Sequence, residues 1–122
     1  MGKFLVLILI AICLSPLTAL AADLEGVYDC QGNSPGGSAY QGTVSIIKNG
    51  ENYTITWSIG TSIYVGIGIL TGDILSVGYS DLKQNGVGIV AYKVQGHKLT
   101  GLWVTQGASK NGTENLTKKM ID

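Results

Sequence analysis

The chain has 122 residues, with eight Lys, no Arg, eight acidic residues, one His and two Cys, for a formal charge of zero. That length fits one domain and is too short for two ordinary ones. Eighteen Gly against two Pro, with 45% hydrophobic residues, exclude a disordered or collagen-like chain. Nucleic acid is excluded as a partner because it needs a clustered basic surface, and a polybasic membrane patch is missing for the same reason.

The first predicted element is a leader. Met1-Gly2-Lys3 supplies one positive charge, Phe4 to Leu14 is an unbroken apolar run, and Ser15-Pro16 breaks it. Ala19-Leu20-Ala21 then gives the small-x-small pattern of a signal-peptidase site. The apolar run is shorter than the ~20 residues that cross a bilayer. We therefore read residues 1–21 as a signal peptide and residues 22–122 as one domain, exported to the periplasm or beyond the cell, with no stable membrane insertion once the leader is cut. The domain keeps one Cys, Cys30, so it has no internal disulfide. Cys30 is then either a buried small hydrophobe, the default for a free Cys, or half of an intermolecular disulfide.

Beyond the leader, alternation dominates. Tyr40, Gly42, Val44 and Ile46 fall on one face of a predicted strand, and Tyr53, Ile55, Trp57 and Ile59 do so in the next. Lys48-Asn49-Gly50-Glu51 carries the Asn-Gly pair of a type I′ hairpin. Ile59-Gly60-Thr61, Thr71-Gly72-Asp73, Gln84-Asn85-Gly86, Gln95-Gly96-His97 and Lys110-Asn111-Gly112 punctuate the rest. About eight strands follow, starting near residues 25, 40, 52, 62, 74, 87, 98 and 113. No window shows a helical stripe. Short strands joined by hairpins predict an all-β antiparallel up-and-down barrel, similar to avidin and lipocalin barrels, with a sandwich as the other solution. Outward Thr and Ser argue against a lipid-facing barrel. The predicted core includes Val44, Ile46, Tyr53, Ile55, Trp57, Leu75, Val77, Leu99 and Trp103. Gly recurs inside strands, as in Tyr64-Val-Gly-Ile-Gly and Leu99-Thr-Gly-Leu-Trp. This reads as large-against-small packing in a filled barrel, with a Gly-lined cavity as the alternative.

Catalytic groups are scarce. His97 is the one His and lies in a predicted hairpin tip, where a triad or Cys-His pair has nothing to recruit. No His, Cys or carboxylate spacing suits a metal, and Gly66-x-Gly68 and Gly86-x-Gly88 lack the helix that a phosphate loop requires. Asp73 and Asp81 sit where turns use Asp for local hydrogen bonds. We expect no enzyme, no cofactor and no metal site. Candidate contact residues are Asn33 and Ser34, in the polar loop Asn33 to Ala39, and the aromatics Tyr40, Tyr64 and Tyr92.

The ordered series Gly26-x-Tyr28-x-Cys30-x-Gly32, Pro35-x-Gly37-x-x-Tyr40-x-Gly42, Gly50-x-x-Tyr53-x-x-x-Trp57, Gly66-x-Gly68-x-Leu70, Val90-x-Tyr92, Leu99-x-Gly101-x-Trp103 and Gly112-Thr113-Glu114 resembles small exported bacterial proteins described as fibronectin-binding or fibronectin-binding-like. The resemblance spans the whole domain. It implies a protein partner, in the adhesion version a host matrix protein. Some members carry a second Cys after the Gly-Thr-Glu; here Asn115-Leu116-Thr117 stands there, which implies stability from packing alone. The alternatives are a carrier of a small apolar ligand and a periplasmic hydrolase inhibitor acting through the Asn33 to Ala39 loop.

Overall fold

A strand that is apolar on one face is stable only when that face is covered. The computed structural model describes residues 23–120, and over them the chain covers its own apolar faces by curling into a closed barrel. Its strands are β1 (Gly26–Asn33), β2 (Ala39–Asn49), β3 (Asn52–Ile59), β4 (Ser62–Thr71), β5 (Ile74–Asp81), β6 (Val87–Gln95), β7 (Lys98–Thr105) and β8 (Gly112–Lys118). Each pairs antiparallel with the next, and β1 closes on β8 from Tyr28↔Lys118 to Asn33↔Thr113. Closure leaves no free sheet edge. All eight predicted starts lie within one residue of the observed ones. The leader over residues 1–21 lies outside the described residues.

Four connections are two residues long and read Gly-Xaa: Gly50-Glu51, Gly60-Thr61, Gly72-Asp73 and Gly96-His97. The expected type I′ hairpin at Asn49-Gly50 is corrected. Asn49 still pairs, with Asn52, so Gly50 takes the first loop position at φ +65° and Glu51 keeps an ordinary φ. Positive φ at the first position alone is the type II′ pattern, which tolerates a side chain on the second residue. His97 is exposed in its hairpin tip, as expected. Asp81 accepts the amides of Lys83 and Gln84 at 2.8 and 3.3 Å, the local role expected of a turn Asp. The longer connections, residues 34–38, 82–86 and 106–111, all stand at one end of the barrel.

The other end is packed. Leu24 folds beneath it and is buried with Tyr28, Ile46, Tyr53, Ile55, Leu75, Leu99 and Leu116. The Tyr28 hydroxyl donates to the Leu24 carbonyl at 2.8 Å, and Lys118 Nζ donates to the Asp23 carbonyl at 3.0 Å. Eight of the nine predicted core residues are buried; Trp103 is half-buried near the opposite end. Large-against-small packing is also found, in a specific form. Tyr40, Tyr79, Tyr92 and Trp103 each stand directly across from a glycine, Gly32, Gly88, Gly101 and Gly112 respectively. A Cβ on Gly101 would come within 2.6 Å of the Tyr92 ring, so the ring lies over bare backbone.

The outer wall has two characters. Thr54, Thr56, Thr113, Asn115 and Thr117 keep β3 and β8 polar, as expected. Across β4, β6 and β7 the expectation of a polar exterior fails: Ile67, Ile69, Ile89 and Leu102 are exposed, and Ile67 and Ile89 flank Gly78 in one register row.

Candidate functional site

Strand β8 reads Gly-Thr-Glu-Asn-Leu-Thr-Lys, and its alternation turns Gly112, Glu114 and Leu116 inward. An acid is thereby carried into the barrel. Glu114 is only 4% exposed and is the sole buried charged side chain among the described residues. Burying a carboxylate is costly unless donors replace its water. Three strands supply them. Tyr40 Oη on β2 donates to Oε1 at 2.7 Å, Trp57 Nε1 on β3 donates to Oε2 at 2.9 Å, and Tyr92 Oη on β6 donates to the same Oε2. Trp57 Nε1 also lies 3.2 Å from Tyr92 Oη. No buried side-chain polar atom among the described residues lacks a partner.

These groups feel one another. Burial above all, then the Glu114 charge, pushes the Tyr92 hydroxyl well up and raises Tyr40 in the same way. Cys30 is buried beside Glu114, and its thiol is raised for the same two reasons. Buried there, Cys30 packs as a small hydrophobe, the default reading of a free Cys.

Above Glu114 the barrel is not filled. A cavity of about 270 Å³ lies toward the end with the long connections, lined by Tyr40, Trp57, Tyr64, Tyr79, Trp103 and Glu114, with Ser34, Ile59, Val90 and Thr105 completing it. Its rings form two groups. Tyr40 and Trp103 meet edge-on at 6.2 Å, whereas Tyr79 contacts Trp57 at 5.7 Å and Tyr64 at 6.1 Å. Tyr79 is held by its hydroxyl, 2.9 Å from Thr105 Oγ1. The filled interior expected from the sequence is thus corrected for this half of the barrel: cross-strand glycines seat the rings flat against the wall and leave the axis open.

Of the sequence candidates, Ser34, Tyr40 and Tyr64 line this cavity. Tyr92 sits beneath it as a donor to Glu114. Asn33 points outward, into a separate shallow polar depression with Gln31, Gln41 and Asn115. Residues 34–38 form a tight turn, with Ser34 N donating to the Ser38 carbonyl at 2.8 Å. Trp57 and Trp103, expected as core, are cavity walls as well. Glu114 and Tyr79 were not among the candidates. Their signal was alternation: Glu114 is an acid in phase with inward Gly112 and Leu116, and Tyr79 is in phase with Leu75 and Val77.

No family model and no curated protein matches the chain. Solved structures do, over nearly their full length and at low identity. A redesigned β-barrel, mFAP1, bound to DFHBI is 16% identical with a TM-score of 0.67, over 78% of this chain and 94% of that one. The REP1-NXSQ fatty acid transporter is 12% identical with a TM-score of 0.55, over 84% and 100%. A secretory abundant heat soluble protein from Ramazzottius varieornatus is 13% identical with a TM-score of 0.53, over 82% and 98%. None of these three is described as binding fibronectin. At such identities they establish the fold, a lipocalin-like antiparallel barrel.

Proposed function

We propose that the protein is a non-enzymatic carrier, exported as its leader implies, that holds a small ligand with an apolar body inside the barrel. One observation carries this reading: one half of the interior is solidly packed, while the other holds a cavity of about 270 Å³ walled by five aromatic rings. Apolar walls with a few convergent polar groups are what ligand sites in barrel mouths share. Two of the similar barrels, a dye-bound design and a fatty acid transporter, support a carrier over a protein-docking module. The volume suits a one- or two-ring molecule. Isothermal titration with neutral 3-methylindole tests it, with saturable one-to-one binding expected. Val90→Phe, which fills the cavity from β6, should abolish that heat while the variant still melts cooperatively. Absence of saturable binding to the wild type of 3-methylindole and of its cationic and anionic analogues alike, or binding untouched in a folded Val90→Phe variant, would overturn the proposal.

A further inference from the structure

The cavity has a sign. Of its ten lining residues none is Lys or His, the chain has no Arg, and the single charge is the Glu114 carboxylate at the floor. The other polar groups there are neutral, the hydroxyls of Ser34, Tyr40, Tyr64, Tyr79 and Thr105 and the indole N–H groups of Trp57 and Trp103. Glu114 is stabilised by donors that are all neutral. The one ion pair among the described residues, Lys119 with Asp29 at 3.6 Å, lies outside on half-exposed side chains. The negative charge within the barrel is therefore hydrogen-bonded but not neutralised.

Its oxygens are unequally occupied. Oε2 receives Trp57 and Tyr92, whereas Oε1 receives Tyr40, and the Cys30 thiol, a weak donor, lies beside the carboxylate. A carboxylate offers about four acceptor positions, so three strong donors leave it able to accept one more. Aromatic faces attract cations to within about 6 Å of their centroids. Five such rings line the cavity together with Glu114. Low-dielectric walls strengthen both attractions, and they equally strengthen the repulsion of a second carboxylate.

We infer that the cavity selects an amine, its ammonium on Glu114 and its apolar body among the rings, and rejects carboxylic acids, fatty acids included. This rests on the carrier reading and deepens it. The raised Tyr40 and Tyr79 hydroxyls in the lining stay protonated at any physiological pH.

The test is a matched series on the wild-type protein by isothermal titration: 3-methylindole (neutral), tryptamine (cation) and indole-3-propionate (anion). Tryptamine is expected to bind about tenfold or more tightly than 3-methylindole, the value of one charge-assisted hydrogen bond, and indole-3-propionate to give no saturable heat. Glu114→Gln keeps the volume, and the Tyr40 hydroxyl can turn to accept from the amide. The readout in that variant is the tryptamine to 3-methylindole ratio, expected near one, so a general loss of affinity cannot imitate the result. Equal binding of all three by the wild type, tighter binding of the acid, or a preference that survives in Glu114→Gln overturns the inference and leaves the carrier standing. Failure of all three ligands to bind removes both.

Discussion

Trp57 does two things with one side chain. Its ring walls the cavity, and its indole N–H donates to the buried Glu114 carboxylate at 2.9 Å. The two contributions separate by substitution. Trp57→Phe keeps most of the ring and removes the donor, which should cost about 1–3 kcal/mol because the buried carboxylate is left short of a partner. Trp57→Ala also removes the packed ring and should cost about 3–5 kcal/mol. Urea unfolding of both variants checks this. A Phe variant as stable as wild type would show that Tyr40 and Tyr92 alone satisfy Glu114.

Within the strands, glycines of like appearance do opposite work. Gly101 on β7 lies under the Tyr92 ring, and an added methyl would also press on the Ala91 carbonyl at 3.1 Å. Gly78 on β5 faces outward, with nothing within 4 Å of an added Cβ. Gly101→Ala should therefore destabilise by about 1–3 kcal/mol through overpacking. Gly78→Ala should stabilise by up to about 1 kcal/mol through the unfolded chain. Thermal midpoints that move the same way for both would contradict this account. The same contrast marks what the sequence made legible. Strand positions and the inward phase were readable, because period-two alternation and Gly-containing turns are local signals. Depth along the barrel axis was not. Tyr40 and Val44 share a face of β2, yet one lines the cavity and the other is buried in the packed core. Which of them meets empty space depends on rings from β3, β5 and β7, and on an acid from β8 whose donors lie on β2, β3 and β6. None of those distances is written in any one strand. The turn type at Gly50 was misread for a related reason: the pairing of Asn49 with Asn52, rather than the dipeptide alone, decides which residue enters the loop.

For the molecule as a whole, buried tyrosines, with the Cys30 thiol, tie stability to alkaline pH. Tyr28 is pushed up to about 12, chiefly by burial, then by the charges of Asp23 and Tyr53. Tyr40, Tyr79 and Tyr92 are raised too, burial again leading. In the unfolded chain tyrosines titrate near ~10. A pKa raised on folding means the native state holds its protons longer. The stability it contributes is therefore complete below ~10 and is lost as pH rises through the folded values. The urea midpoint should begin to fall above ~8.5, where an unfolded Cys30 thiol ionises and the buried one does not, and fall more steeply from ~10 toward 12, and Tyr28→Phe should soften the steeper part. A level midpoint across the whole range would refute the shared shift.

Seven of the eight strand pairings join neighbours in sequence; the eighth joins β1 to β8, from opposite ends of the chain. Glu114 lies on that last seam, paired with Gly32, whereas its donors belong to strands whose hairpins need no such closure. Long-range pairing is the slow part of building a β-protein, because the entropy of loop closure must be met first. Tyr40 and Trp57 reach Glu114 across that seam, so the floor of the cavity is complete only in the closed barrel. Under the proposed function, a ligand resting on it would act as a latch on the finished barrel, lengthening the life of the closed state and leaving the rate of reaching it unchanged.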